Sequence, residues 1–100
     1  MVWTVYILTN KNNGTLYVGV TRDLRDRLER HRAAKTGFVQ RYSLNRLVFY
    51  EDYGVPGEAI IREKQLKKWR RKWKIELIEG ANPEWEDLNR YIPGSPLTRG

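Results

Sequence analysis

Residues 3–20, WTVYILTNKNNGTLYVGV, constrain the fold more than any other stretch of the chain. Two runs rich in β-branched and aromatic residues, 3–9 and 15–20, flank the sequence KNNG at Lys11–Gly14. Val, Ile, Tyr and Trp suit a pleated, half-buried surface, and Asn and Gly tolerate the positive φ of a tight turn. The stretch therefore predicts a β-hairpin. A four-residue loop pairs Asn10 with Thr15 and sets Tyr6 opposite Gly19. Tyr17 then lies diagonally across from Tyr6 on the same face, roughly 7–8 Å away. A two-residue turn at Asn13-Gly14 keeps the tyrosines on one face but farther apart. Gly19, lacking a side chain, leaves a gap where a backbone or a ligand can approach. The simpler reading of the pair is two phenols packing a small sheet.

The rest of the chain supplies one more strand and two or three helices. Thr21 is a candidate N-cap, with Asp23 in the first turn, for a helix over 22–34, and Gly37 is its stop signal. Residues 46–53, RLVFYEDY, read as a third strand. Pro56-Gly57 breaks the chain, a second helix runs over 58–71, and a separate helix through 73–78 is left open. Pro83 at a first helical position opens a short helix to Leu88. The expected class is α+β, a small three-stranded, mostly antiparallel sheet flanked by helices in the order β-β-α-β-α-α. Its 100 residues make one domain over 1–90, followed by a flexible tail over 91–100.

Charge points to the partner. The chain carries 19 Lys and Arg against 12 Asp and Glu, a net +7, which favours a polyanion such as nucleic acid. It holds no cysteine, so disulfides, zinc–cysteine sites and thiol catalysis are excluded. No apolar run reaches the roughly 18 residues of a membrane span. The first residues do not pattern as a signal peptide, and a cytoplasmic protein without a membrane partner is expected.

Helical periodicity picks out the side chains near the tyrosines. His31 falls between Arg27 and Leu28, on the stripe of Leu24, so Arg27 and His31 border the face that meets the sheet. In the second helix, with Ala59 at 0°, Leu66, Trp73 and Trp69 fall at about −20°, −40° and −80°, and Glu63 at about +40°. Glu63 is the one acid between Arg62 and Lys74, among eight Lys or Arg residues. It points to the sheet side, while Lys64 and Lys68 point to solvent. A Glu63–Lys67 pair at i, i+4 would be worth a few tenths of a kcal/mol, roughly. A carboxylate beside the apolar stripe, in a positive field, also suits a hard divalent cation. Two phenols, a guanidinium, an imidazole and a carboxylate cover the needs of phosphodiester hydrolysis: a deprotonated water, charge stabilisation and support for the leaving oxygen. A phenol with its ordinary pKa near 10 is a poor base, and surrounding cations are expected to lower it.

At these residues the sequence resembles the GIY-YIG nuclease superfamily, most closely its stand-alone bacterial members, over roughly residues 2–88. Thr4-Val5-Tyr6 corresponds to the first signature and Tyr17-Val18-Gly19 to the second, with Thr4 in place of glycine and valines in place of both isoleucines. TRDLRDRLERH matches the arginine helix, AIIREKQLKKW the segment with the glutamate, and NPEWEDL a late motif. The resemblance implies a divalent-metal-dependent DNA endonuclease with one Mg²⁺ or Mn²⁺ held by Glu63. It implies Tyr6 as general base, Tyr17 hydrogen-bonded nearby, Arg27 on the phosphoryl charge, His31 assisting Tyr6 or contacting phosphate, and Asn82 ordering the site. No separate DNA-binding domain is evident, so Arg62, Lys64, Lys67, Lys68, Arg70 and Arg71 are the expected grip on nucleic acid, DNA before RNA. The rival readings are a nucleic-acid-binding module that does not cut, and a subunit active only with a protein partner.

Overall fold

In the computed structural model, which describes residues 2–33 and 44–92, the apolar run Trp3–Thr9 forms the central strand β1. β2 (Leu16–Thr21) and β3 (Arg46–Tyr53) pair with it on either side, both antiparallel. Among the described residues the helices are α1 (Leu24–Ala33), α2 (Pro56–Lys68) and α3 (Arg71–Ala81), followed by a 3₁₀ turn at Leu88–Tyr91. The order is β-β-α-β-α-α, as the sequence pattern predicts. The helix stop at Gly37 and the tail beyond Ile92 lie outside the described residues.

Every residue of β1 from Thr4 to Thr9 is buried, because helices cover both faces of the sheet. Side chains alternate between the faces. Val5 and Ile7 join Val18, Val48, Ala59, Leu66, Ile78 and Trp85 on the side of α2 and α3. Tyr6 and Leu8 join Leu24, Leu28, Leu44, Leu47 and Ile92 on the side of α1. The hairpin adopts the four-residue-loop register: Thr9 faces Leu16, Leu8 faces Tyr17, and Tyr6 faces Gly19.

Four boundaries differ from expectation. Asp23, not Thr21, caps α1: its carboxylate accepts the Asp26 amide, while the Thr21 hydroxyl accepts the Asp23 amide at the end of β2. α2 begins two residues early, at Pro56, because a proline at the first helical position loses no intrahelical bond. α2 ends at Lys68, and Trp69 and Arg70 are extended, each with ψ 149°. The Trp69 indole packs partly buried against the sheet cluster, beneath the Arg62 guanidinium 5.1 Å from its centroid. This break gives α3 its own direction, so Ile78 reaches the core while Trp73 is 46% exposed rather than on the apolar stripe. Finally, Pro83 sits in a tight turn closed by the Trp85 amide on the Asn82 carbonyl, and the 3₁₀ turn starts later, after the Asp87 cap.

Asn82 is committed to this last turn. Its side-chain amide donates to the Val48 and Glu86 carbonyls at 3.1 and 2.9 Å, and its oxygen accepts the Glu86 amide at 3.0 Å. Both amide hydrogens are therefore spent on backbone, on the α3 side of the sheet. Replacing Asn82 with alanine strands those groups and should cost about 1–3 kcal/mol in urea unfolding. The variant should leave the side-chain chemistry on the α1 side of the sheet unchanged in the folded fraction.

Candidate active site

Gly19 is what lets the two tyrosines and the histidine meet. A Cβ at this position would lie 2.6 Å from both the Cζ and the hydroxyl of Tyr6. The gap opposite Tyr6 is thus filled by the Tyr6 ring itself, not by a ligand or a passing backbone. Lying over Gly19, the ring reaches toward Tyr17 and toward His31 on α1. Ring centroids are 6.3 Å apart for Tyr6–Tyr17, 5.9 Å for Tyr6–His31 and 5.7 Å for Tyr17–His31. The Tyr6 hydroxyl is 2.9 Å from His31 Nε2.

Arg27, one turn before His31, acts electrostatically on both Tyr6 and His31, and Glu63 of α2 acts on Tyr6. The structure therefore brings Tyr6, Tyr17 and His31 into contact and sets Arg27 and, from far along the chain, Glu63 within electrostatic range of Tyr6. It does not bring Asn82, whose amide is fully used elsewhere.

The electrostatics reverse one expectation. Tyr6 is completely buried, and its pKa is raised above the ordinary 10.0, first by desolvation and next by the neighbouring Tyr17. Arg27 pulls the other way and is outweighed. The His31 pKa is lowered from 6.5, by burial and then by Arg27. At neutral pH both groups are uncharged. With its proton on Nδ1 the neutral imidazole accepts the phenol's hydrogen bond at Nε2, and with its proton on Nε2 it donates to the phenol oxygen instead.

Glu63 carries the site's carboxylate. Its side chain is 15% exposed and lies 2.9 Å from Lys67 Nζ, so the i, i+4 pair forms in the place expected for a cation. Among the described residues no group of three or more His, Cys, Asp or Glu could enclose an ion. One carboxylate, already facing a positive charge on an exposed and easily displaced lysine, fits a cation that keeps most of its shell as water and substrate oxygens.

The expected cationic grip divides. Arg62 is bound to Glu51 by two hydrogen bonds, 3.0 and 3.3 Å, and Arg71 donates to the Asn13 and Gly14 carbonyls of the hairpin turn. These two guanidinium groups hold α2 to β3 and α3 to the hairpin. Lys64, Lys67, Lys68 and Arg70 are exposed, with Arg70 stacked on Trp73 at 5.4 Å.

A family model described as the GIY-YIG catalytic domain matches residues 2–76. The chain belongs to the GIY-YIG family. It is 36% identical over 78 residues to a UPF0213 protein of Staphylococcus aureus strain Mu3, covering 75% of this chain and 92% of that one. The UPF0213 protein of strain USA300 matches with the same figures. The solution NMR structure of a UPF0213 protein from Bacillus halodurans superposes with a TM-score of 0.57 at 25% identity, covering 95% of this chain and 99% of that one. Membership places the chain in a nuclease family whose substrate is nucleic acid. No helix among the described residues is long and apolar enough to cross a membrane.

In this GIY-YIG chain, periodicity does not single out Lys74, because the break at Trp69-Arg70 changes the direction in which α3 projects its side chains. Nor does it reveal that Tyr6 is wholly enclosed, since a strand residue's burial depends on what packs over it. Gly19→Ala tests the arrangement. The added methyl must displace the Tyr6 ring, which is packed on all sides, and should cost about 1–3 kcal/mol. It should also break the Tyr6–His31 hydrogen bond, seen as a change in the His31 ring nitrogen resonances by NMR.

Proposed function

We propose that this chain is a divalent-metal-dependent endonuclease that hydrolyses DNA phosphodiesters with one ion, Mg²⁺ or Mn²⁺, at Glu63. The observation that carries the reading is the 2.9 Å Tyr6–His31 hydrogen bond beside Arg27 and Glu63. A buried phenol with a raised pKa is a poor base alone. Hydrogen-bonded to a neutral imidazole, it works as a relay. Tyr6 is buried in the free protein, so substrate binding must first open its oxygen to the attacking water; that oxygen then takes a proton from the water while its own proton passes to His31 Nε2. The nascent hydroxide attacks phosphorus, the P–O bond to the leaving sugar breaks, and solvent protonates the leaving alkoxide. Arg27 offsets charge on the phosphoryl oxygens, and Tyr17 holds the relay's other side. A bound ion at Glu63 would supply Lewis-acid polarisation of the phosphate.

The relay has a signed pH dependence. His31 must be neutral to accept, so nicking should fall on acidification with an inflection below 6.5, the ordinary histidine value. The Tyr6 phenol stays protonated through neutral pH and adds no basic limb there. Stability should follow the same sign. The unfolded chain takes up the His31 proton first, so stability is lost as pH falls from 6.5 toward the folded value. A plasmid-nicking assay across pH and thermal unfolding across the same range check both.

Variants separate the roles. With Mg²⁺ or Mn²⁺ and a panel of duplex and branched DNA, wild type should nick, and Tyr6→Phe and Glu63→Gln should both lose about 100-fold or more. In a Mn²⁺ titration with DNA present, Tyr6→Phe should retain the ion and Glu63→Gln should not. Wild type that binds DNA and cuts no substrate with either ion would make the domain a binding module.

A further inference from the structure

β2 is an edge strand: β1 covers one side, and among the described residues no strand covers the other. Along that open side runs a concavity of about 280 Å³, lined by Leu16, Tyr17, Val18, Lys67 and Lys74. Tyr17 belongs to the candidate active site, so the groove starts where that site ends. Its two charged walls come from different helices, Lys67 from α2 and Lys74 from α3.

Lys74 stands out among the basic residues of α2 and α3. It is partly buried, and among the described residues no carboxylate pairs with it. Burial, and then the like charge of Arg71, lower its pKa. Partial burial of an ammonium beside a like charge is unfavourable unless an anion compensates it. Arg71 is tied to the hairpin turn by two backbone carbonyls, so it holds α3 against the hairpin beside the groove. An edge strand also offers outward backbone amides, donors suited to phosphate oxygens.

We propose that this groove is a subsite for a non-scissile backbone phosphate of the nucleic acid, the neighbour of the one cleaved, held by Lys74 with Lys67 over the β2 edge. The proposal rests on the nuclease reading for the position of the scissile phosphate. It adds a register: the strand enters the site along β2 rather than only over the exposed faces of α2. A groove of this size accommodates one sugar-phosphate unit and not a duplex, so contact is to one strand's backbone and is independent of sequence.

The test is binding of a short end-labelled duplex by fluorescence anisotropy across a salt series, without metal. Lys74→Gln should lower the log–log salt slope by about 0.9, one phosphate contact, and weaken binding about eightfold at 0.1 M salt. Lys74→Arg should retain the slope. Thermal unfolding of Lys74→Gln should show no loss of stability, because the change removes an unpaired charge. As a positional readout, the backbone amides of Tyr17 and Val18 should shift in ¹H–¹⁵N spectra when the duplex is added to wild type, and not in Lys74→Gln. Wild-type binding with an unchanged slope in Lys74→Gln, or a reduced slope with unmoved Tyr17 and Val18 amides, overturns the subsite and leaves the nuclease reading standing. Wild type that does not bind DNA overturns both.

Discussion

The contact of the Tyr6 ring with the bare backbone of Gly19 is the constraint on which the site depends. A side chain at position 19 would meet the ring and hydroxyl at 2.6 Å. Without one, the phenol lies across the hairpin, between β1 and the β2 edge. There it meets His31 from the α1 layer and the field of Glu63 from the α2 layer. The strand pair thus acts as a floor, with Arg27 and His31 contributed by one helical layer and Glu63 by the other.

That placement sets the acid–base character. The positive balance of the chain suggests a phenol made acidic by its surroundings, but Tyr6 faces desolvation more strongly than it faces cations. Burial keeps it protonated, and burial with Arg27 keeps His31 neutral. The two shifts are opposite in sign on the pKa scale and the same in consequence, since each favours the uncharged form. A neutral donor beside a neutral acceptor is poised for a relay, whereas a tyrosinate beside an imidazolium would be an ion pair already spent. Arg27 links the two, as it opposes one shift and adds to the other.

Much of this was legible in the sequence where local rules act alone. KNNG and the alternation around it limit the hairpin to two registers with both tyrosines on one face, and the structure takes the four-residue loop that sets them diagonally. Glu63 beside the apolar stripe follows from helical period, because α2 is regular through Lys68. What periodicity missed depends on tertiary contact. The extended Trp69-Arg70 link carries neither Gly nor Pro and is set by packing of an indole, so Trp73 and Lys74 project differently from a continuous helix. Arg62 and Arg71 read as a phosphate grip by composition, but the carboxylate and carbonyls that engage them come from β3 and the hairpin turn. Asn82 resembled a site residue by motif, and its amide proves to be a brace between a turn and β3.

The central claim is that Tyr6 and His31 are both neutral and share one hydrogen bond through Nε2. The chain has a single histidine, so its ring nitrogens can be read without ambiguity in a long-range ¹H–¹⁵N spectrum. The account predicts a neutral ring at pH 7 with the proton on Nδ1 and Nε2 accepting. It predicts titration below 6.5, and a shift in the Nε2 resonance in Tyr6→Phe. A proton on Nε2 at pH 7, or titration above 6.5, would contradict it.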